Sequence, residues 1–154
     1  FINGIVIDIN GKEYPFEIID VNKKNDICLV ETKTKIEKDP IRISYIAPQY
    51  GDVILNLSNI ENMAKKKTIP ATSGYFFGNT YEKDEGARWW SLYHITASGG
   101  SSGSMLLNYR GELLGIITHT VYNFCALGPT HKVLMNFLSS SLKNRMFLTM
   151  TFSY

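Results

Sequence analysis

The 154-residue sequence has only two cysteines, Cys28 and Cys125, too few for a multi-bridge framework. Both lie in apolar, strand-like runs, Ile27-Cys28-Leu29-Val30 and Phe124-Cys125-Ala126-Leu127. Buried free thiols are expected in place of a disulfide, because free cysteine is among the most buried residue types. No apolar run approaches the roughly 20 residues that cross a bilayer, and Phe1-Ile2-Asn3-Gly4 lacks the charged start of a signal peptide. A soluble chain with no membrane partner is expected, its compartment left open, an intracellular one included. Charge of one sign is also lacking: 16 Lys+Arg against 14 Asp+Glu leave a net +2. That is not the clustered basic face that nucleic acid favours. The run Lys65-Lys66-Lys67 reads as a solvated loop or an edge that discourages strand pairing, with RNA binding as the alternative.

What is present is 44% apolar and 12% aromatic residues, enough for a core and against disorder. The length corresponds to about one domain. The apolar residues fall in short segments rich in Ile, Val, Phe and Tyr, punctuated by Gly, Asn and Asp, the pattern of an all-β protein. Ile5-Val6-Ile7-Asp8-Ile9, then Asn10-Gly11, then Glu13-Tyr14-Pro15-Phe16-Glu17-Ile18-Ile19 predicts a hairpin with a type I′ turn. Further strands are expected over 27–31, 41–45, 52–57, 68–78, 89–97, 104–108, 112–120 and 122–127. About ten strands at this spacing suggest a barrel or sandwich. One helix is expected over 131–142, with Val133, Leu134, Phe137, Leu138 and Leu142 at helical spacing and Thr130 as N-cap. Ser139-Ser140-Ser141 weakens its last turn, and 146–154 reads as a last strand or a linker.

The densest cluster of small residues, Ala97-Ser98-Gly99-Gly100-Ser101-Ser102-Gly103-Ser104, lies directly between two strands. Composition alone would allow a flexible loop. A serine hydroxyl is a weak nucleophile, however, and must protrude on a tight turn where a base and backbone N–H groups can reach it. The cluster is followed by a strand, a turn at Tyr109-Arg110-Gly111 and a second strand containing Gly115-Ile116-Ile117-Thr118. This arrangement resembles the nucleophile region of trypsin-like (chymotrypsin-fold) serine proteases. Lys24-Asn25-Asp26-Ile27-Cys28-Leu29-Val30 is similar to the family's segment in which an aspartate precedes an apolar strand. The pattern is nearest to HtrA-type members and to viral and glutamate-specific bacterial ones.

The resemblance implies two six-stranded antiparallel β-barrels with one C-terminal helix. Residues 1–46 would be the C-terminal part of an incomplete first barrel, 47–142 the second barrel and helix, and 143–154 a tail or extra strand. It implies Ser102 as nucleophile, since Ser102 alone has Gly two before and Gly one after in the family's register. The N–H groups of Gly100 and Ser102 would form the oxyanion hole. Asp26, fifteen residues after Gly11, would orient the catalytic histidine, and Thr118 would support Asp26 by a hydrogen bond. Thr96, Ile117, His119 and Thr120 would line the substrate pocket, with a small or uncharged polar side chain as the expected guest. Ser101 stands where digestive members carry an aspartate that pairs with a new N-terminus, so that activation mechanism is not expected.

The chain departs from the family at the base. His94, His119 and His131 all follow the hairpin that the catalytic histidine should precede. His94 reads as a satisfied strand histidine and His131 as a surface residue at a helix start. Either the histidine lies upstream of Phe1, in a missing N-terminal segment of the same protease domain, or the chain is an inactive homologue. The first alternative is a serine endopeptidase acting on a polypeptide substrate through an acyl-enzyme. The second is a peptide-binding, protein-binding or viral structural module. No cofactor or metal site is expected.

Overall fold

A computed structural model describes residues 3–60, 68–83 and 86–151; Lys65-Lys66-Lys67 lie outside them. Its first hairpin pairs β1 (Asn3–Ile7) antiparallel with β2 (Glu13–Asn22). The connection is not the expected type I′ turn: Gly11 has a φ of 85°, but Asn10 is not in the left-handed region. Instead Gly11 N donates to Asp8 O at 2.8 Å and Asp8 N to Lys12 O at 2.9 Å, a type I turn followed by a left-handed glycine. Asp8 organises it, since its Oδ1 accepts the N–H groups of Asn10 and Lys12 at 2.8 and 2.9 Å. Chiefly the Lys12 N–H holds the Asp8 carboxyl below its usual range.

β3 (Ile27–Thr32) pairs with the other side of β2, giving a three-stranded sheet in the order β1-β2-β3. The strand expected over 41–45 is reduced to one bridge, Ile43 to Leu113, between Pro40 and Pro48. Proline removes a ladder donor and so shortens what pairing can form.

The second sheet contains β4 (Val53–Leu57), β5 (Ala71–Glu82), β6 (Arg88–His94), β7 (Met105–Leu107), β8 (Leu113–Ile116), β9 (His119–Val121) and β10 (Cys125–Pro129). Its order is β8-β7-β4-β5-β6-β10-β9. The sheet curls until its far strands meet: Thr118 N donates to Leu127 O at 2.9 Å, and Gly128 lies so close to the Ile116 carbonyl that a Cβ would not fit. The inward faces form one core of Ile54, Phe76, Tyr93, Ile95, Leu106, Leu114, Ile117 and Ala126. Burial pushes the Tyr93 phenol up to about 12. The strand expected over 112–120 is interrupted at Ile117-Thr118, where backbone bonds turn to Ser104 and Leu127. The one expected over 122–127 begins at Cys125, because Tyr122 adopts a φ of 54° in a turn.

α1 (His131–Thr151) starts as expected, with Thr130 Oγ1 accepting Val133 N at 3.4 Å. It does not stop at Leu142, and the expected tail or extra strand continues it through Thr151. Ser140 and Ser141 do not break it, because their hydroxyls bond back to Phe137 O at 3.0 and 2.8 Å. Leu134 and Phe137 pack on Ile27 of β3, with Leu29, Ile116 and Leu138 around them, so α1 joins the two sheets. Each such buried side chain contributes about 1.5–3 kcal/mol.

Both cysteines are free, but Cys28 is exposed and Cys125 only half-buried, against the expectation of burial. Alternation along β3 explains Cys28: Ile27 and Leu29 face α1, which turns Cys28 to the opposite face. No helix among the described residues is long and apolar enough to cross a membrane. The architecture is mostly antiparallel β with one C-terminal helix. Among the described residues its strands form one sheet of three and one of seven.

Candidate active site

The loop between β6 and β7 is built from two consecutive turns. Ser101 N donates to Ser98 O at 2.9 Å, and Ser104 N to Ser101 O at 3.0 Å. Gly100 and Gly103 have φ values of 87° and 84°, which side chains rarely tolerate. Between them Ser102 is exposed at the tip. The far side is pinned to the strand end: Gly103 N donates to Ile117 O at 2.7 Å and Ile117 N to Ser104 O at 3.0 Å. The Ser102 hydroxyl donates to Thr118 O at 3.3 Å.

Thr118 is buried, and its Oγ1 lies 3.4 Å from Leu127 O and 2.9 Å from His119 Nδ1. The structure thus brings Gly100, Ser102, Ile117, Thr118 and His119 into one region. Asp26 lies on the other sheet, exposed, in a left-handed conformation (φ 52°) after the 3₁₀ turn Lys23–Asn25. Ile117 is fully buried, whereas Thr96, His119 and Thr120 are exposed. Behind Thr96 the 122–124 turn is fastened by Ala97 N to Asn123 O at 3.2 Å and Ile95 N to Phe124 O at 3.0 Å.

No family model matches the chain. It is 32% identical over 65 residues to the iron-sulfur cluster insertion protein ErpA of Buchnera aphidicola subsp. Cinara cedri (strain Cc), covering 42% of this chain and 59% of that protein. Among solved structures it is similar to Rv3671c from M. tuberculosis H37Rv, a trypsin-like serine protease, in the inactive form of a serine-to-alanine mutant. The TM-score is 0.69 at 12% identity, over 84% of this chain and 65% of that one. The chain has a chymotrypsin-like fold. It spans less than two thirds of either protein. Among the described residues no group of three or more His, Cys, Asp or Glu could hold a metal ion.

On this chymotrypsin-like frame a cluster that the sequence reading did not single out stands behind His119. Glu82 Oε2 accepts Arg88 Nε at 2.7 Å and Trp90 Nε1 at 2.9 Å. The Arg88 guanidinium lies 4.4 Å from the Trp90 ring centre, and Trp90 meets the His119 ring edge-on at 5.0 Å. The Trp90 indole, then Arg88, holds the Glu82 carboxyl below its usual range. Arg88 also donates to Lys24 O at 3.0 Å, tying this hairpin to the turn that precedes Asp26. The signal available in the sequence was Glu82 opposite Arg88 across a hairpin closed near Gly86. His131 is buried, with Nε2 2.8 Å from Ser44 O, not the surface residue expected. His94 is exposed, its ring 6.0 Å from that of Phe124.

Proposed function

We propose that the chain belongs to a trypsin-like serine endopeptidase with Ser102 as nucleophile. The observation that carries this reading is an exposed serine between two left-handed glycines, pinned to Ile117 and Thr118 on a chymotrypsin-like fold. In the reaction Ser102 Oγ bonds to the scissile carbonyl carbon while its proton passes to an imidazole supplied from upstream of Phe1. Asp26 holds that imidazole in the correct tautomer and stabilises its cation. The N–H groups of Gly100 and Ser102 receive the charge on the carbonyl oxygen. The imidazolium then protonates the leaving amine as the C–N bond breaks, and water releases the acyl group by the same route.

In this scheme the Thr118 carbonyl, now holding the Ser102 hydroxyl, is freed when the imidazole takes that hydrogen bond; the Thr118 hydroxyl, bonded to Leu127 O, would have to turn to support Asp26. Thr96, His119 and Thr120, exposed around the fully buried Ile117, are the residues that would meet the substrate side chain, for which we infer a small or uncharged polar one. A second reading, an inactive homologue that binds peptides around the Ser102 loop, is favoured by two observations. Ser102 donates to a carbonyl, and His119 lies against Thr118. Without a base, residual acceleration is only about 10³–10⁴ over water.

A fluorophosphonate probe separates the two. The chain carrying its upstream segment should form an adduct at Ser102 that is lost in Ser102→Ala. Absence of the adduct supports the binding module.

A further inference from the structure

Ser101 is fully buried, and four hydrogen bonds converge on it. Its N–H donates to Ser98 O at 2.9 Å, and its hydroxyl oxygen accepts Ser98 N–H at 3.1 Å. Its carbonyl accepts Ser104 N at 3.0 Å and also the Ser104 hydroxyl. The upstream pair closes the turn that carries Gly100, and the downstream pair closes the turn that carries Ser102. Gly99-Gly100 has no side chain to select a backbone conformation, so the direction of the Gly100 N–H depends on what anchors the turn.

We propose that Ser101 is a positioning residue that sets the Gly100 and Ser102 N–H groups relative to each other through these two turns. The inference rests on the protease reading, in which those two N–H groups receive the oxyanion. Two donors act as one hole only if their separation and directions are fixed before the charge develops. Ser101 meets that requirement from within the loop. It is neutral, its hydroxyl is satisfied by a backbone N–H three residues away, and it needs no charged partner from another segment.

The test has two arms. In the first, amide hydrogen exchange is followed by NMR on the ¹⁵N-labelled 154-residue chain. Ser101→Ala should speed exchange at Ser98 at least tenfold and also raise it at Ser101 and Ser104. The amides of Ile54, Tyr93 and Leu106 should stay as they were, and Ser101→Thr, which keeps the hydroxyl, should restore Ser98. An unchanged Ser98 amide in the alanine variant overturns the proposal. Should that variant fail to fold, Ser101→Cys provides the comparison, with the same expected and overturning results.

In the second arm, fluorophosphonate labelling of Ser102 is followed in the chain carrying its upstream segment. Ser101→Ala should lower the maximal labelling rate at least tenfold with half-saturation unchanged, and Ser101→Thr should recover it. Equal rates in wild type and alanine variant overturn the positioning role. A wild-type chain that does not label at all defeats the protease reading, whereas the exchange arm still reports whether Ser101 anchors the loop.

Discussion

The Glu82 carboxylate accepts the indole N–H of Trp90 at 2.9 Å and thereby fixes the ring against which His119 rests. The same oxygen pairs with Arg88, which also reaches the turn before Asp26. One carboxylate thus holds together a corner that touches both sheets.

Titration of that corner has a defined sign. Hydrogen bonds from Trp90 and Arg88 lower the Glu82 pKa from 4.5, so the stability it contributes is present above pH 4.5 and lost as pH falls through the lower folded value. Glu82→Gln should therefore be less stable than wild type at pH 7, with the difference shrinking as acid is added. Urea unfolding followed by tryptophan fluorescence across this range measures it. A difference that stays constant with pH would assign the effect to shape instead of charge.

At Gly103 the expectation concerns backbone conformation alone. A Cβ there meets nothing within 4 Å, yet φ is 84°. Gly103→Ala should cost about 1–2 kcal/mol, read as a lower urea midpoint with an unchanged slope. It should also slow fluorophosphonate labelling of Ser102.

Helix docking is tested at Phe137. Phe137→Ala removes the ring that α1 places among Ile27, Leu29 and Ile116, at a cost of about 3–5 kcal/mol. Hydrogen exchange should rise first in β3 and α1, while amides around Ile54 and Tyr93 remain protected. Uniform loss of protection would show instead that both sheets unfold as one unit.

The two thiols should react unequally. Cys28 is exposed, whereas burial raises the pKa of Cys125. At pH 8 iodoacetamide should modify Cys28 first, with Cys125 following faster as pH rises, both measured by peptide mass mapping.

Local signals made much of this readable. Gly100, Ser102 and Gly103 declare a tight turn by residue type alone, and Thr130 before an apolar 3.6-residue period declares a helix start. Other features depend on neighbours distant in sequence. Asn10-Gly11 gave the hairpin but not its turn type, because Asp8 captures the loop N–H groups. Ser139-Ser140-Ser141 reads as a helix end until the hydroxyls are seen to return to Phe137 O. Cys28 and His131 depart from expectation for opposite reasons: burial is decided by which face of β3 meets α1 and by the Ser44 carbonyl beside the helix start. The Glu82 cluster was legible as a charge pair across a hairpin, but nothing local indicated that Trp90 would carry it to His119.

Helix α1 also sets an order of events during synthesis. Its Ser141 hydroxyl donates to Asp20 Oδ2 across 121 residues of sequence, and contacts so distant form only after the intervening chain exists. A ribosome releases β1 to β3 long before the segment that fastens them to the second sheet. The Asp26 turn is thus synthesised well before the Ser102 loop, and the two sheets are not fastened to each other until α1 emerges.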